Sequence, residues 1–366
     1  MKLICSQSEL SAAVALVGRA VANRPTHPIL ANVLLTADAA TGQLQLTGFD
    51  LNLGMQVSIP ATVEVGGATT VPARLFGEII SRLPNDAAIT LAVNEQLEIT
   101  TTSGSYRVQQ QPAEDFPDLP TAEAQPLQLP AADLIRGLKA TLFASSSDES
   151  KQLLTGVHLA IGSATTFAAT DGHRLAVLQL GTSGSSNTEL TVPARSLREL
   201  ERLVAATGAE AVSIAAASGQ ILFRCGDRLL TSRSLNGTYP NYSQLIPATF
   251  SRSIVVNRKA LQGALERVAV LADQHSNVVK LKADPDRAEL LITADVQDVG
   301  SGAELLAAEV SGEAITIAFN ARYVLDGLKA MSTEEVAINA NYETTPVVIA
   351  GDPGYTYLVM PVQVKS

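Results

Sequence analysis

The chain has 366 residues and a formal net charge of −10, enough length for two or three domains of ordinary size. Hydrophobic residues at 46% against 17% charged exclude a disordered chain, and 4% aromatics without tryptophan leave the cores to Leu, Val, Ile and Ala. Evenly spread, such an acidic balance would argue against a nucleic-acid partner, because phosphate contact needs Lys and Arg.

The N-terminal run Met1–Glu9 turns polar too soon for a secretion signal, and no stretch sustains the roughly 18 apolar residues of a membrane span, so a cytoplasmic protein is expected. Leu10, Val14, Leu16, Val17 and Val21 recur at helical spacing and predict a helix over 8–24. Strand-like alternation follows at 44–47 and 88–91, with a second helix between them over 74–83. A linker over 120–126 precedes a helix over 131–143, built on Leu134, Ile135, Leu138 and Leu142. The fourth helix is expected over 195–205. A second linker, 246–249, leads to a fifth helix over 257–272, on Leu261, Leu265, Val268 and Leu271. A strand at 314–318 and a helix over 320–330 complete the set.

These elements repeat. Val71-Pro72-Ala73-Arg74-Leu75 returns as Val192-Pro193-Ala194-Arg195-Ser196-Leu197 and, more weakly, as Phe319-Asn320-Ala321-Arg322-Tyr323. Each copy opens a helical segment, with Pro expected in the first turn. Leu46-Thr47-Gly48-Phe49-Asp50 is echoed by Ala169-Thr170-Asp171-Gly172 and Ile292-Thr293-Ala294-Asp295, and Phe116-Pro117-Asp118-Leu119-Pro120 by Tyr239-Pro240-Asn241-Tyr242. Markers at one period of about 120 residues imply three similar α+β domains in series, not a solenoid of small repeats. The boundaries read as 1–121, 127–247 and 250–366.

Charge follows the repeat. The six helical segments hold fourteen basic and seven acidic residues, a net +7, so the rest of the chain carries −17. Lys and Arg are good helix formers, which is the bland explanation, but Glu is equally good and is outnumbered. The pattern reads as cationic helices presented to a polyanion, with no sequence-reading motif beside them. Cys5 and Cys225 have no metal or redox spacing and read as reduced core thiols. His27, His158 and His275 form no metal spacing either, and neither a Walker sequence nor a dinucleotide fingerprint is present. Asp171, His173 and Arg174 could support acid–base chemistry, but no nucleophile or second carboxylate accompanies them.

Over nearly its whole length the chain resembles the bacterial DNA polymerase III beta subunits, the beta sliding clamps. The segments that carry the likeness are Arg24-Pro25-Thr26-His27-Pro28-Ile29-Leu30-Ala31-Asn32, Thr69–Arg74, Asp115–Leu119, Tyr239–Tyr242, Val359–Val362 and, most specifically, Thr170-Asp171-Gly172-His173-Arg174-Leu175-Ala176. The resemblance implies a non-enzymatic, head-to-tail homodimer: a six-domain ring, helices inside and antiparallel sheets outside, that encircles duplex DNA without sequence specificity. It implies no cofactor and no metal. Implied partners are the polymerase III catalytic subunit, the clamp loader, and other polymerases and repair proteins carrying clamp-binding motifs.

The resemblance also carries a peptide pocket onto Leu154, Thr170, Gly172, His173, Arg174, Leu175, Pro240, Gln244, Leu245, Val347, Val359, Met360, Pro361 and Val362. Gln244 stands where the family commonly has arginine, and the tail runs on to Ser366. DNA-facing residues would be Arg24, Arg74, Arg82, Arg136, Lys139, Arg195, Arg198, Arg202 and Arg267, and the ring interface would join Tyr106 and Val108 to Val270 and Leu271. The alternative reading is a scaffold that binds proteins only, without DNA.

Overall fold

The computed structural model describes residues 1–22, 24–121, 125–181, 188–272 and 277–363. Part of the first linker (122–124), His275 and the tail beyond Gln363 lie outside the described residues.

The chain builds one element order three times, with the short strands β5 and β22 of the first and third repeats lacking a counterpart among the described residues of the second. The first repeat runs β1 (Lys2–Ser6), α1 (Gln7–Val17), β2 (Asn32–Asp38), β3 (Gln43–Phe49), β4 (Leu53–Pro60), β5 (Thr62–Val65), β6 (Gly67–Pro72), α2 (Ala73–Ser81), β7 (Ala88–Val93), β8 (Leu97–Thr100) and β9 (Ser105–Val108). The second runs β10 (Leu127–Pro130), α3 (Ala131–Thr141), β11 (Gly156–Ile161), β12 (Thr165–Thr170), β13 (Arg174–Leu180), β14 (Thr188–Pro193), α4 (Ala194–Thr207), β15 (Ala211–Ala217), β16 (Gln220–Cys225) and β17 (Arg228–Arg233). The third runs β18 (Arg252–Asn257), α5 (Arg258–Ala272), β19 (Val278–Asp284), β20 (Glu289–Val296), β21 (Gly300–Ala307), β22 (Glu309–Ser311), β23 (Ile315–Asn320), α6 (Ala321–Ala330), β24 (Glu335–Ala340), β25 (Val347–Ala350) and β26 (Tyr355–Val359). The fold is α+β, and among the described residues the strand pairings are antiparallel.

The repeated helix starts have a local cause. Pro72 ends β6 and sits at the N-cap of α2 in a non-helical conformation, so proline precedes the helix instead of occupying its first turn. Pro193 likewise ends β14 immediately before α4. In the third copy Asn320 takes this place, and its side chain accepts a hydrogen bond from the Arg322 N–H at 3.0 Å. The first helix is shorter than expected. It ends at Val17, a single 3-10 turn covers Gly18–Ala20, and Val21 is extended. Arg24 is therefore on an exposed loop, not on a helix.

By compactness the chain divides into Met1–Leu134 with Arg195–Ser234, and Ile135–Ala194 with Leu235–Ser366. Strand pairing explains why the second repeat is shared. In the first unit β4 pairs with β17, producing the eight-stranded order β10-β15-β16-β17-β4-β3-β2-β6. In the second, β13 pairs with β26, producing β14-β11-β12-β13-β26-β25-β24-β18-β22. Each junction continues a sheet from one repeat into the next. β9 ends a five-stranded sheet and β21 a four-stranded one.

The cores are aliphatic: Leu3, Leu10, Leu35, Leu44 and Leu46 are fully buried, with Phe76, Phe167, Phe223 and Phe319 as the large aromatic fillers. Cys5 and Cys225 are free and buried, and burial pushes their thiols up to about 12 and about 11. Thiols this far from ionising are poor nucleophiles. Among the described residues, no helix is long and apolar enough to cross a membrane.

Candidate partner-binding site and cationic helices

The string Thr170–Ala176 folds as a tight turn that delivers one anchored arginine. Asp171 accepts hydrogen bonds at Oδ1 from the N–H groups of His173 (2.9 Å) and Arg174 (3.1 Å), and Thr170 Oγ1 donates to the Arg174 carbonyl at 2.6 Å. Gly172 has φ +93°, a conformation that penalises any Cβ. The first repeat makes the same turn with Asp50, which accepts from the N–H groups of Asn52 and Leu53. Because Asp171 is spent on this turn and on Arg174, it is not a free base, and the acid–base reading loses its carboxylate.

Arg174 then ties several elements together. Its Nε donates to Asp171 Oδ2 at 3.0 Å, Nη1 to Asp326 Oδ2 on α6 at 2.6 Å, and Nη2 to the Phe143 carbonyl at 2.8 Å. The guanidinium lies 4.5 Å from the Tyr323 ring centroid and 5.4 Å from that of Phe143. Burial works against its charge, but the Asp326 hydrogen bond and the Asp171 charge outweigh it, so its pKa lies above the ordinary value. The exposed His173 stacks on Tyr323 with centroids 6.2 Å apart. Beneath them Tyr357 is fully buried and donates to the Tyr323 carbonyl at 2.6 Å. Gly327 permits this packing, since a Cβ there would lie 2.2 Å from the Tyr357 ring.

Strand register sorts the expected pocket residues onto two faces. Leu175 lies opposite Leu358, and Leu358 opposite Val348. These three form an apolar cluster, with Val177, Tyr242, Ile246, Phe250 and Met360 packed on it. Arg174, Val359 and Val347 are also mutual neighbours in register, but one residue along, so their side chains point to the other face. Val347 and Val359 are fully buried there. By register Val348 and Leu358 stand on the Leu175 face, and Val347 and Val359 on the Arg174 face.

The other expected residues fall as follows. The Met360 N–H donates to the His173 carbonyl at 2.8 Å, which brings the tail alongside the turn. Val362 N–H donates to the Ala318 carbonyl at 2.8 Å, leading the tail past half-buried Pro361 toward β23. Pro240, Gln244 and Leu245 are exposed on the segment that carries Tyr242, Leu245 at 53%. Leu154 is half-buried in a 3-10 turn, Gln152–Thr155, ahead of β11. Tyr239, before Pro240, is buried and stacks on His158 at 4.9 Å. Tyr323, Asp326, Phe143, Tyr242 and Phe250 belong to this neighbourhood and were not among the pocket residues expected from sequence.

The expected DNA-facing residues are all exposed, but they are not equally available. Arg74 pairs with Glu78, Arg195 with Asp50 at 2.7 Å, Arg202 with Glu199, and Arg267 with Glu304 through two hydrogen bonds of 2.8 and 2.9 Å. Arg136 donates to the Pro353 carbonyl. Among the described residues, the side chains of Arg24, Arg82, Lys139 and Arg198 make no hydrogen bond or ion pair. At the expected interface, Tyr106 is 43% exposed on β9 and Val270 65% on α5. Leu271 is half-buried, and a Cβ on Gly302 would meet its Cδ1 at 2.9 Å, so it packs over β21. Val108, also on β9, is 1% exposed, so within the protomer its side chain packs in the core.

Comparison with known proteins matches residues 1–120, 128–241 and 243–363 to the N-terminal, central and C-terminal domain models of the DNA polymerase III beta subunit. The chain belongs to the DNA polymerase III beta subunit family. A beta sliding clamp of Synechococcus elongatus is 51% identical, with both chains fully covered. The sliding clamp of Bacillus subtilis superposes with a TM-score of 0.95 at 29% identity, again over 100% of each chain. A clamp from Bartonella birtlesii, solved bound to griselimycin, superposes at 0.93 with 30% identity and full coverage of both chains. The threefold element order is thus the domain order of the beta clamp family.

Proposed function

We propose that the chain is a replication sliding clamp: two copies close head to tail into a ring around duplex DNA and tether the replicative polymerase to it. The role is non-catalytic, cytoplasmic and associated with the nucleoid. The observation that carries the reading is a junction made twice within one chain. β4 of the first repeat pairs with β17 of the second, and β13 of the second pairs with β26 of the third. By element order the third repeat's counterpart of β4 and β13 is β21, and the first repeat's counterpart of β17 and β26 is β9. Both are sheet edges. A second copy that pairs its β9 with this β21, and its β21 with this β9, repeats the junction twice more and closes the assembly.

The exposed apolar side chains support that closure. Tyr106 lies on β9, Leu305 (55% exposed) on β21, and Val270 on the helix beside β21. The domains are taken as 1–121, 127–247 and 250–366. Arg24, Arg74, Arg82, Arg136, Lys139, Arg195, Arg198, Arg202 and Arg267 are assigned to the DNA face, where contact with phosphates alone carries no sequence preference. The cluster of Leu175, Val348 and Leu358, with the His173–Arg174 turn and Met360 at its side, is the assigned seat for partner peptides. Met and Tyr side chains suit a groove that re-packs around several Leu- and Phe-bearing motifs. The polymerase III catalytic subunit, the clamp loader, and other polymerases and repair proteins are the assigned partners.

Retention on DNA tests the reading. Clamp placed by a clamp loader on closed circular duplex stays bound, and linearising the circle releases it. A protein-only scaffold shows no retention on either form.

A further inference from the structure

The residues where α1 gives way to its 3-10 turn and the first turns of α4 form a network in which carboxylate and arginine are unevenly buried. Arg195, Arg198 and Arg202 recur at spacings of three and four on α4 and share one exposed face. Glu199 lies beneath them with only 12% of its side chain exposed, whereas the Arg202 and Arg19 side chains are 54% and 46% exposed. Glu199 Oε1 accepts a hydrogen bond from Arg202. Its Oε2 is 3.7 Å from Arg19 Nη1, is buried, and has no hydrogen-bond partner. A buried carboxylate oxygen left without a hydrogen bond is a costly way to stabilise a fold. Arg198, one residue away, has no ion pair among the described residues.

We propose that Glu199 is a built-in competitor for DNA phosphate. It holds Arg19 and Arg202 in ion pairs that must loosen before either guanidinium takes a phosphate, while Arg198 stays free to engage. Each arginine then passes between a fixed carboxylate and successive phosphates, and the grip on duplex stays weak enough for movement along it. Bound DNA also releases fewer counterions than the number of facing arginines would suggest. The inference rests on the sliding-clamp reading above.

The test is the salt dependence of DNA binding together with one-dimensional diffusion of the loaded full-length ring on stretched duplex. Glu199→Gln should steepen the slope of log K against log[salt] by about 0.9 for each arginine that gains a phosphate, which adds about a 3.5-fold loss between 50 and 200 mM salt. Diffusion should slow severalfold. Exposed Glu343→Gln, which changes net charge equally, should leave both readouts at wild type. Arg198→Gln should flatten the slope by about 0.9, and Arg202→Gln by clearly less. This arginine pair also decides the matter if Glu199→Gln does not fold. The proposal is overturned if Glu199→Gln matches wild type, if Glu343→Gln matches Glu199→Gln, or if the two arginine variants flatten the slope equally. Loss of wild-type retention on circular DNA would instead overturn the sliding-clamp reading.

Discussion

Replacing Arg174 with Ala removes three hydrogen bonds, to Asp171 (3.0 Å), Asp326 (2.6 Å) and the Phe143 carbonyl (2.8 Å), as well as the stack on Tyr323. Arg174 and Asp171 are 10% and 14% exposed at their side chains, so Asp171 would be left as a largely buried anion. Breaking a buried pair from one side costs about 3–5 kcal/mol. Asp326 is 39% exposed and is partly screened by water, which places this case near the lower end, about 3 kcal/mol. Asp326→Asn keeps a hydrogen-bond acceptor and should cost less than about 1 kcal/mol. Arg174→Ala also loosens the turn that holds His173 and the Met360 N–H, so peptide affinity should fall at least about tenfold, or about 1.4 kcal/mol. Denaturant unfolding and fluorescence titration with a short Leu- and Phe-containing peptide measure the two effects. Arg174→Ala with wild-type stability and wild-type affinity would refute the role of this anchor.

Gly327→Ala gains about 1 kcal/mol of helix propensity, but the new Cβ would lie 2.2 Å from the Tyr357 ring, and overpacking of this kind costs about 1–3 kcal/mol or more. The variant should therefore melt lower than wild type, and a higher melting temperature would show that the Tyr357 ring moves freely. Leu271→Asp places a charge over β21 at the proposed closure, and sedimentation should report monomers; a persisting dimer would place the interface elsewhere. Burial lowers the pKa of His158 below 6.5, so as pH falls below that value the unfolded state takes up the proton first and stability declines. His158→Phe keeps a ring against Tyr239 and should remove that part of the acid sensitivity in unfolding titrations between pH 7 and 5; an unchanged pH profile would show that His158 is not its source.

The helices could be read from sequence because apolar residues three and four apart mark a face wherever it packs. The end of the first helix was less legible. Val21 continues the apolar spacing of Val14 and Val17, but it is already extended, so spacing alone ran past the stop at Val17. The Thr170–Ala176 string announced a site, and its geometry follows from chemistry that sequence displays: a carboxylate for two N–H groups, a glycine at positive φ, then an arginine. Val359 against Leu358 was harder, because a one-residue offset in a strand reverses the face and the register with β13 is set by a partner about 180 residues away. Val108 and Tyr106 share one face of the edge strand β9, yet Val108 is buried and Tyr106 exposed, a difference that strand alternation does not encode.

The repeat itself hid how the repeats adhere. Identical markers suggest identical joints, yet the two internal junctions use different chemistry at matching places. Asp50 turns outward to an arginine from α4, an exposed guanidinium over a nearly buried carboxylate. Asp171 instead holds the arginine of its own turn, which reaches across to Asp326 on α6 and stacks on Tyr323. The first arrangement leaves Arg195 more than half exposed. The second buries Arg174 and displays His173 beside an apolar cluster. One turn scaffold thus occurs in both repeats, and the third residue after each turn aspartate differs: Leu53 in the first repeat, beside the Asp50–Arg195 pair, and Arg174 in the second, beside the apolar cluster. On this account, exchanging the turn sequences of the two repeats should weaken peptide binding without creating a second seat at the first junction, because Tyr323, Asp326 and Met360 have no part in that joint.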